Sequence, residues 1–212
     1  MHISEGILSP PVLVVGAALA TVGVAIGLRK LDYERVPRVA VLSSAFFVAS
    51  LIHVPIGPSS VHLVLNGLVG VILGWAAFPA LLVALLLQAV LFGFGGLTTL
   101  GVNTVVMGAP ALLCYLLLSR WIRRSHGPSA FLLGAGAGVL GIVGGCVLLA
   151  GALLTTGRAF REVAVLALGS HVPVAVIEGL VTGGVVAFLR QVRPELLEAP
   201  GESASEEGTA YG

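Results

Sequence analysis

PSAFLLGAGAGVLGIVGGCVLLAGALLTT, residues 128–156, contains no charged side chain and no histidine across 29 consecutive positions. A helix of roughly 20 apolar residues crosses the hydrocarbon of a bilayer, because every backbone polar group is then bonded inside the segment. This stretch is therefore read as a membrane span. Gly134, Gly138, Gly141 and Gly145 within it are spaced mostly by four, which places them on one helix face where a neighbouring backbone can come close.

Working outward, further apolar stretches occupy residues 7–28, 38–55, 61–78, 79–96, 100–119 and 163–189, which makes seven. Only Phe78-Pro79 parts the third from the fourth, read as a tight reversal, with six helices as the alternative count. Composition points the same way: 57% of the 212 residues are hydrophobic and 10% charged, against roughly 25% charged in a soluble domain. So few charges cannot coat a globule of this size, and the outer surface must face lipid. The apolar runs are continuous, unlike the alternation of a membrane barrel. A net charge of +1 gives no reason to invoke nucleic acid. The expected fold is an all-α, multi-pass integral membrane protein with seven transmembrane helices within residues 1–193. An acidic, disordered tail is expected over 194–212, with Glu195, Glu198, Glu202, Glu206 and Glu207 among Ser, Gly and Pro.

Basic residues set the orientation. Arg29, Lys30, Arg35 and Arg38 fall between the first two stretches, Arg120, Arg123 and Arg124 between the fifth and sixth, and Arg190 and Arg193 after the seventh. Seven crossings put all of these on one side, the cytoplasm, and leave only Arg158 and Arg161 opposite. The amino terminus is then extracytoplasmic and the carboxyl terminus cytoplasmic. MHISEGIL has no Lys or Arg ahead of its apolar run, so it is not read as a signal peptide and the first residues are expected to be retained. Cys114 and Cys146 lie inside apolar runs and read as small core hydrophobes.

Polar groups in apolar spans are costly and mark function by default. His53, His62, Asn66, Asn103 and His171 fall toward the outer half by this topology, with Gln88 at mid-depth and Glu178 near the middle of the seventh stretch. His126 sits in a basic loop and reads as solvated. Met1 and His2 share the outer side. A free α-amine, the amide nitrogen of residue 2 and Nδ1 of a histidine there close a five- and a six-membered chelate ring. A histidine elsewhere can add a fourth nitrogen, and four nitrogens in a plane suit Ni(II) or Cu(II), where zinc prefers a tetrahedron and magnesium oxygen. His62 is the membrane-embedded candidate for that fourth position.

MHISEGILSP at the start, SSVHLVLNG at 59–67 and QAVLFGFGGLTTLGVNT at 88–104 together resemble the CbiM/NikM family, the substrate-binding membrane components of energy-coupling-factor transporters for cobalt and nickel. The resemblance spans residues 1 to about 190. It implies a seven-helix fold whose amino-terminal segment inserts into the bundle from outside. It also implies a near-planar site made of the Met1 amine, the His2 amide nitrogen, the His2 ring and His62, with Ni2+ or Co2+ as the transported substrate. Where the family commonly has a Gly-Thr-Ser-Gly-His stretch, this chain has Gly57-Pro58-Ser59-Ser60-Val61-His62, which leaves cobalt versus nickel open. Ser60, Asn66, Gln88, Asn103 and His171 are expected as outer-shell groups holding the metal-binding nitrogens, since a metal-bound histidine usually donates its second N–H to an acceptor. His53 reads as an interfacial histidine.

No phosphate-binding GxxxxGK[ST] loop occurs in the chain. The resemblance therefore implies partners: ATPase subunits, a coupling transmembrane subunit and a small accessory membrane subunit. A rival reading makes the chain a self-powered secondary cation transporter or channel using Glu178. A membrane metalloenzyme would need a ligand-plus-base pattern such as HExxH, which is not in the sequence; the chain is read as a transport component and not an enzyme.

Overall fold

The computed structural model describes residues 2–56, 59–157 and 160–197, with side chains apart from those of 53–56 and 59–61. Eight α-helices and one short hairpin make up the architecture of these residues. The helices are α1 (Pro10–Arg29), α2 (Val36–Ala49), α3 (Asn66–Leu73), α4 (Ala77–Phe92), α5 (Leu100–Arg124), α6 (Gly127–Thr156), α7 (Arg161–Ser170) and α8 (Val172–Val192). Five stretches are long and apolar enough to cross a membrane: α1, residues 66–92, α5, α6 and residues 161–192. Large apolar side chains stand exposed on the outside of the bundle, Val14 and Leu132 each at 68% among them, as expected of a surface solvated by lipid.

The second apolar stretch does not stay helical to residue 55. α2 stops at Ala49, where Ser50 turns its hydroxyl back onto the Phe47 carbonyl at 2.6 Å. Pro55 and Pro58 then forbid a continuing helix. The chain forms an antiparallel hairpin instead, β1 (His53–Ile56) with β2 (Ser59–His62), whose register sets His53 opposite His62. The expected helix from residue 61 accordingly begins only at Asn66.

Residues 66–92 are folded on themselves. A straight helix of that length would reach about 40 Å. Yet α3 starts just beyond His62 and α4 ends just before Phe94, and both His62 and Phe94 lie against His2. The reversal falls at Gly74–Ala76, a 3-10 turn entered through Gly74 at φ 56°, a conformation that glycine adopts without steric cost. The sequence reading had put it at Phe78-Pro79. Both residues lie inside the first turn of α4, where proline is tolerated because its missing N–H would have no helical partner.

Between Ser170 and Val172 the chain breaks at His171, as Pro173 demands, and α7 and α8 both pack along the unbroken α6. The α6 glycines are where that packing is tightest. A Cβ on Gly138 would strike the Glu178 carbonyl, and one on Gly134 would meet Val186 at 2.7 Å. Pro194–Leu197, taken from sequence as the start of the tail, form a 3-10 turn with Leu197 buried. Residues 198–212 lie outside the described part.

Candidate metal centre

Residues 2–9 run into the bundle with no helix of their own until Pro10, and Ile3 is 3% exposed. Such a segment must find partners for its backbone elsewhere. Asn103, in the first turn of α5, supplies two of them: its Oδ1 accepts from the Ile3 N–H at 2.9 Å and its Nδ2 donates to the Ile3 carbonyl at 3.1 Å. The side-chain amide thus pairs with both backbone groups of one residue, as a neighbouring strand would. Thr99 donates its hydroxyl to the same carbonyl at 3.0 Å. Two residues on, the Glu5 N–H bonds the Gly95 carbonyl at 3.1 Å, and the Ser9 N–H bonds Thr156 Oγ1 at 3.3 Å. Gly95, at φ 80°, lets the loop pass beneath this segment; a Cβ there would lie 2.9 Å from Asn103 Nδ2.

His62 comes from the opposite direction, at the end of β2. Its Nδ1 faces the Leu63 carbonyl at 2.9 Å. A carbonyl only accepts, so Nδ1 carries a proton, which in a neutral ring leaves Nε2 as the lone-pair nitrogen. Histidine ligands are commonly set in this way by a carbonyl at the other nitrogen. Just beyond, Leu65 adopts φ 53°, the one non-glycine positive φ among the described residues, a conformation that costs about 1–3 kcal/mol and persists only where its surroundings impose it. Glu178 of α8 imposes it. Fully buried, its carboxylate accepts the N–H groups of Val64 and of Leu65, the latter at 2.9 and 3.0 Å to its two oxygens. Consecutive N–H groups in such a turn form a concavity suited to an anion, and the start of α3 adds its dipole.

These two arrangements bring the His2 and His62 rings to 4.8 Å between centroids with planes 17° apart, and Phe94 lies 6.3 Å from His2 on near-parallel planes. Among the described residues no three His, Cys, Asp or Glu side chains gather as a metal site. Two imidazoles therefore meet here, and further donors would have to come from the main chain.

The remaining expected groups are placed as follows. Asn103 holds the entering segment. Asn66 donates to the Gly141 carbonyl at 3.1 Å, tying α3 to α6. Gln88 donates to Ser50 Oγ at 2.7 Å, tying α4 to α2. His171 points Nδ1 at the Ala167 carbonyl, 2.7 Å away within its own helix break. Met1 and the side chains of Ser60 and His53 lie outside the described part. Sequence reasoning did not single out Thr99, Gly95 or Phe94. The Gly95-Gly96 pair, inside the stretch that carried the family resemblance, was the available signal: a backbone passing that close tolerates no Cβ.

Comparison with known proteins adds an independent line. The CbiM family pattern, described as the cobalt uptake substrate-specific transmembrane region, matches residues 2–196. A protein of Haemophilus influenzae that carries a metal-transport name is 46% identical over 93% of this chain and 97% of its own length. The cobalt transport protein CbiM of Sorangium cellulosum is 33% identical over 96% of this chain and its full length. The fused nickel transport protein NikMN of Rhodobacter capsulatus is 32% identical over 93% of this chain and 64% of its own. A crystal structure of a truncated transition metal transporter superposes with a TM-score of 0.73 at 28% identity, covering 90% of this chain and 99% of that one.

Proposed function

We propose that this chain, which belongs to the CbiM family of cobalt-uptake transmembrane components, captures Ni2+ or Co2+ outside the cell through its first two residues and His62, and hands the ion to partner subunits that drive its release inside. The observation that carries the reading is the meeting of His2 and His62. Two imidazoles at adjacent corners of a planar site, with metal–nitrogen bonds of about 2 Å, bring their centroids to roughly 4–5 Å, and these rings stand at 4.8 Å. The Met1 amine and the His2 amide nitrogen complete a four-nitrogen plane in this reading.

Capture then follows from how the two histidines are held. Asn103 and Thr99 fix the Ile3 peptide, so the amide of His2 and its ring enter the site from a pinned main chain. Glu178 pins the turn after His62. With both ligands held before the ion arrives, little ordering is left for binding to impose. Glu178 is a positioning residue in this account, since its oxygens are engaged by backbone N–H groups, and the rival reading of Glu178 as a proton or cation site is not favoured.

Seven passes, with the His2 end outside, complete the topology we propose. Lys30 and Arg38 gather with Trp75 and the Leu196 carbonyl, and Arg190 with Ser125 and His126. These clusters lie at the end of the bundle away from His2, so one cytoplasmic face accommodates them. Energy would come from ATPase and coupling membrane subunits, with a small accessory membrane subunit as a further partner. The test is uptake of labelled Ni2+ and Co2+ by cells expressing the chain with and without an energising ATPase and coupling subunit. Uptake that requires those subunits and is lost in His62→Ala supports the proposal. Full uptake by the chain alone, lost in Glu178→Gln and kept in His62→Ala, refutes it.

A further inference from the structure

Three residues beyond His2 stands Glu5, an exposed acid whose side chain is separate from the Asn103 and Thr99 clamp on Ile3. It turns onto residues 93–99, the loop that joins α4 to α5. Its Oε1 accepts the Thr98 N–H at 3.4 Å, while its own N–H donates to the Gly95 carbonyl at 3.1 Å. Residue 5 therefore grips this loop on both sides of Gly96. Thr98 lies two residues ahead of α5, where the helix dipole favours a negative charge.

A hydrogen bond of that length on an exposed acid is weak by itself. A second observation shows that the carboxylate has a seat. A Cβ built on Gly96 would run into the Glu5 carboxylate. Gly96 is not one of the glycines at positive φ, so its backbone would accept alanine. What excludes a side chain at 96 is Glu5, and the loop leaves room there for this carboxylate. The consequence concerns how the segment opens. Segments that bind ligands open locally when few bonds hold them, and without Glu5 the first residues would hang on the Ile3 clamp and the Gly95 carbonyl alone.

We propose that Glu5 is a positioning residue, a latch that closes the amino-terminal segment onto residues 95–98 and slows the escape of the bound ion. The latch rests on the proposed metal centre, whose ligands this segment carries. It acts through hydrogen bonding and fit against Gly96, and touches no metal itself.

In the experiment the full chain, purified in detergent and loaded with Ni2+, is mixed with excess chelator, and the decay of the metal absorption band gives the dissociation rate. Glu5→Ala should release Ni2+ about three- to tenfold faster, the effect of one net hydrogen bond, with the association rate and the metal-free melting midpoint unchanged. Glu5→Gln keeps an acceptor for Thr98 and should restore most of the slow rate. Gly96→Ala, which displaces the carboxylate, should speed release by a similar factor alone and add little in the Glu5→Ala background. Release at the wild-type rate in Glu5→Ala overturns the latch. So does full addition of the two effects in the double variant. A Glu5→Gln that behaves as Glu5→Ala and slows association in a salt-dependent way also overturns it, since that marks a charge attracting the ion. His62→Ala separates the latch from the centre. Binding lost in His62→Ala, with Glu5→Ala at the wild-type rate, removes the latch and leaves the centre; normal binding in His62→Ala removes both.

Discussion

His2 and His62 reach the same place by opposite means. The segment carrying His2 has no regular structure and is held by neutral groups: the amide of Asn103, the hydroxyl of Thr99 and the carbonyl of Gly95. The turn carrying His62 is held by a buried carboxylate that grips two successive backbone amides and sustains a left-handed leucine. The neutral clamp rests on several bonds of about 1 kcal/mol each. Removing a buried charge from its partners costs far more. Of the two halves of the proposed centre, the loop of His62 is the firmer wall and the amino-terminal segment the docking half, held against the bundle by neutral bonds.

Breaking the wall's own ligand gives the largest effect. His62→Ala should weaken Ni2+ binding well beyond the roughly 100-fold that outer-shell changes cost, measured by equilibrium binding to purified protein, while His171→Asn leaves affinity unchanged. Glu178 comes next. Glu178→Ala orphans two buried N–H groups and should cost about 2–5 kcal/mol of stability, read as a lowered melting midpoint in detergent. Glu178→Gln keeps an acceptor, and it should still bind metal with an affinity reduced about tenfold. Should that variant bind none while His62→Ala binds normally, the roles of wall and ligand are reversed.

The docking half should respond more mildly. Asn103→Leu removes both bonds to the Ile3 peptide and should weaken metal binding about 10- to 100-fold, with a smaller loss of stability than Glu178→Ala. Gly95→Ala, strained by its positive φ and crowding Asn103, should do the same by a different route. The smallest effect belongs to Gln88→Leu. It unties α4 from α2 and leaves Ser50 and the apolar packing to adjust, so the melting midpoint should move while Ni2+ affinity does not. A change in affinity there would mean that the site extends further down the bundle than the two clamps.

Much of this was legible in the residues. Uninterrupted apolar runs announce helices with no need of tertiary information, which is why α1, α5 and α6 fall almost where hydropathy puts them. Pro173 announced the break at His171, and the α6 glycines announced close packing. Hydropathy could not reveal that residues 53–65 leave the helical pattern. Val54, Ile56, Val61 and Leu63 are as apolar in a hairpin or an extended strand as in a span, and only the prolines hinted otherwise. The reversal at Gly74 was hidden for the same reason: one glycine among three in residues 67–78 says nothing by itself about which takes a positive φ. Glu178 was visible as a cost that needed a cause, but its partners are backbone amides 113 and 114 positions away, and backbone amides leave no mark in a sequence.

The central claim is that the first main-chain nitrogens are ligands, which makes position in the chain matter as much as residue type. Inserting one alanine between Met1 and His2 keeps every side chain but replaces the five- and six-membered chelate rings. It also moves the amine by about 3.5 Å along an extended chain, well beyond a metal–nitrogen bond of about 2 Å. Equilibrium binding of Ni2+ and Co2+ to the purified insertion variant, with an absorption spectrum to report planar coordination, tests this directly. The account predicts that tight binding and the planar spectrum are both lost, although His2 and His62 are intact. Undiminished affinity with an unchanged spectrum would contradict it.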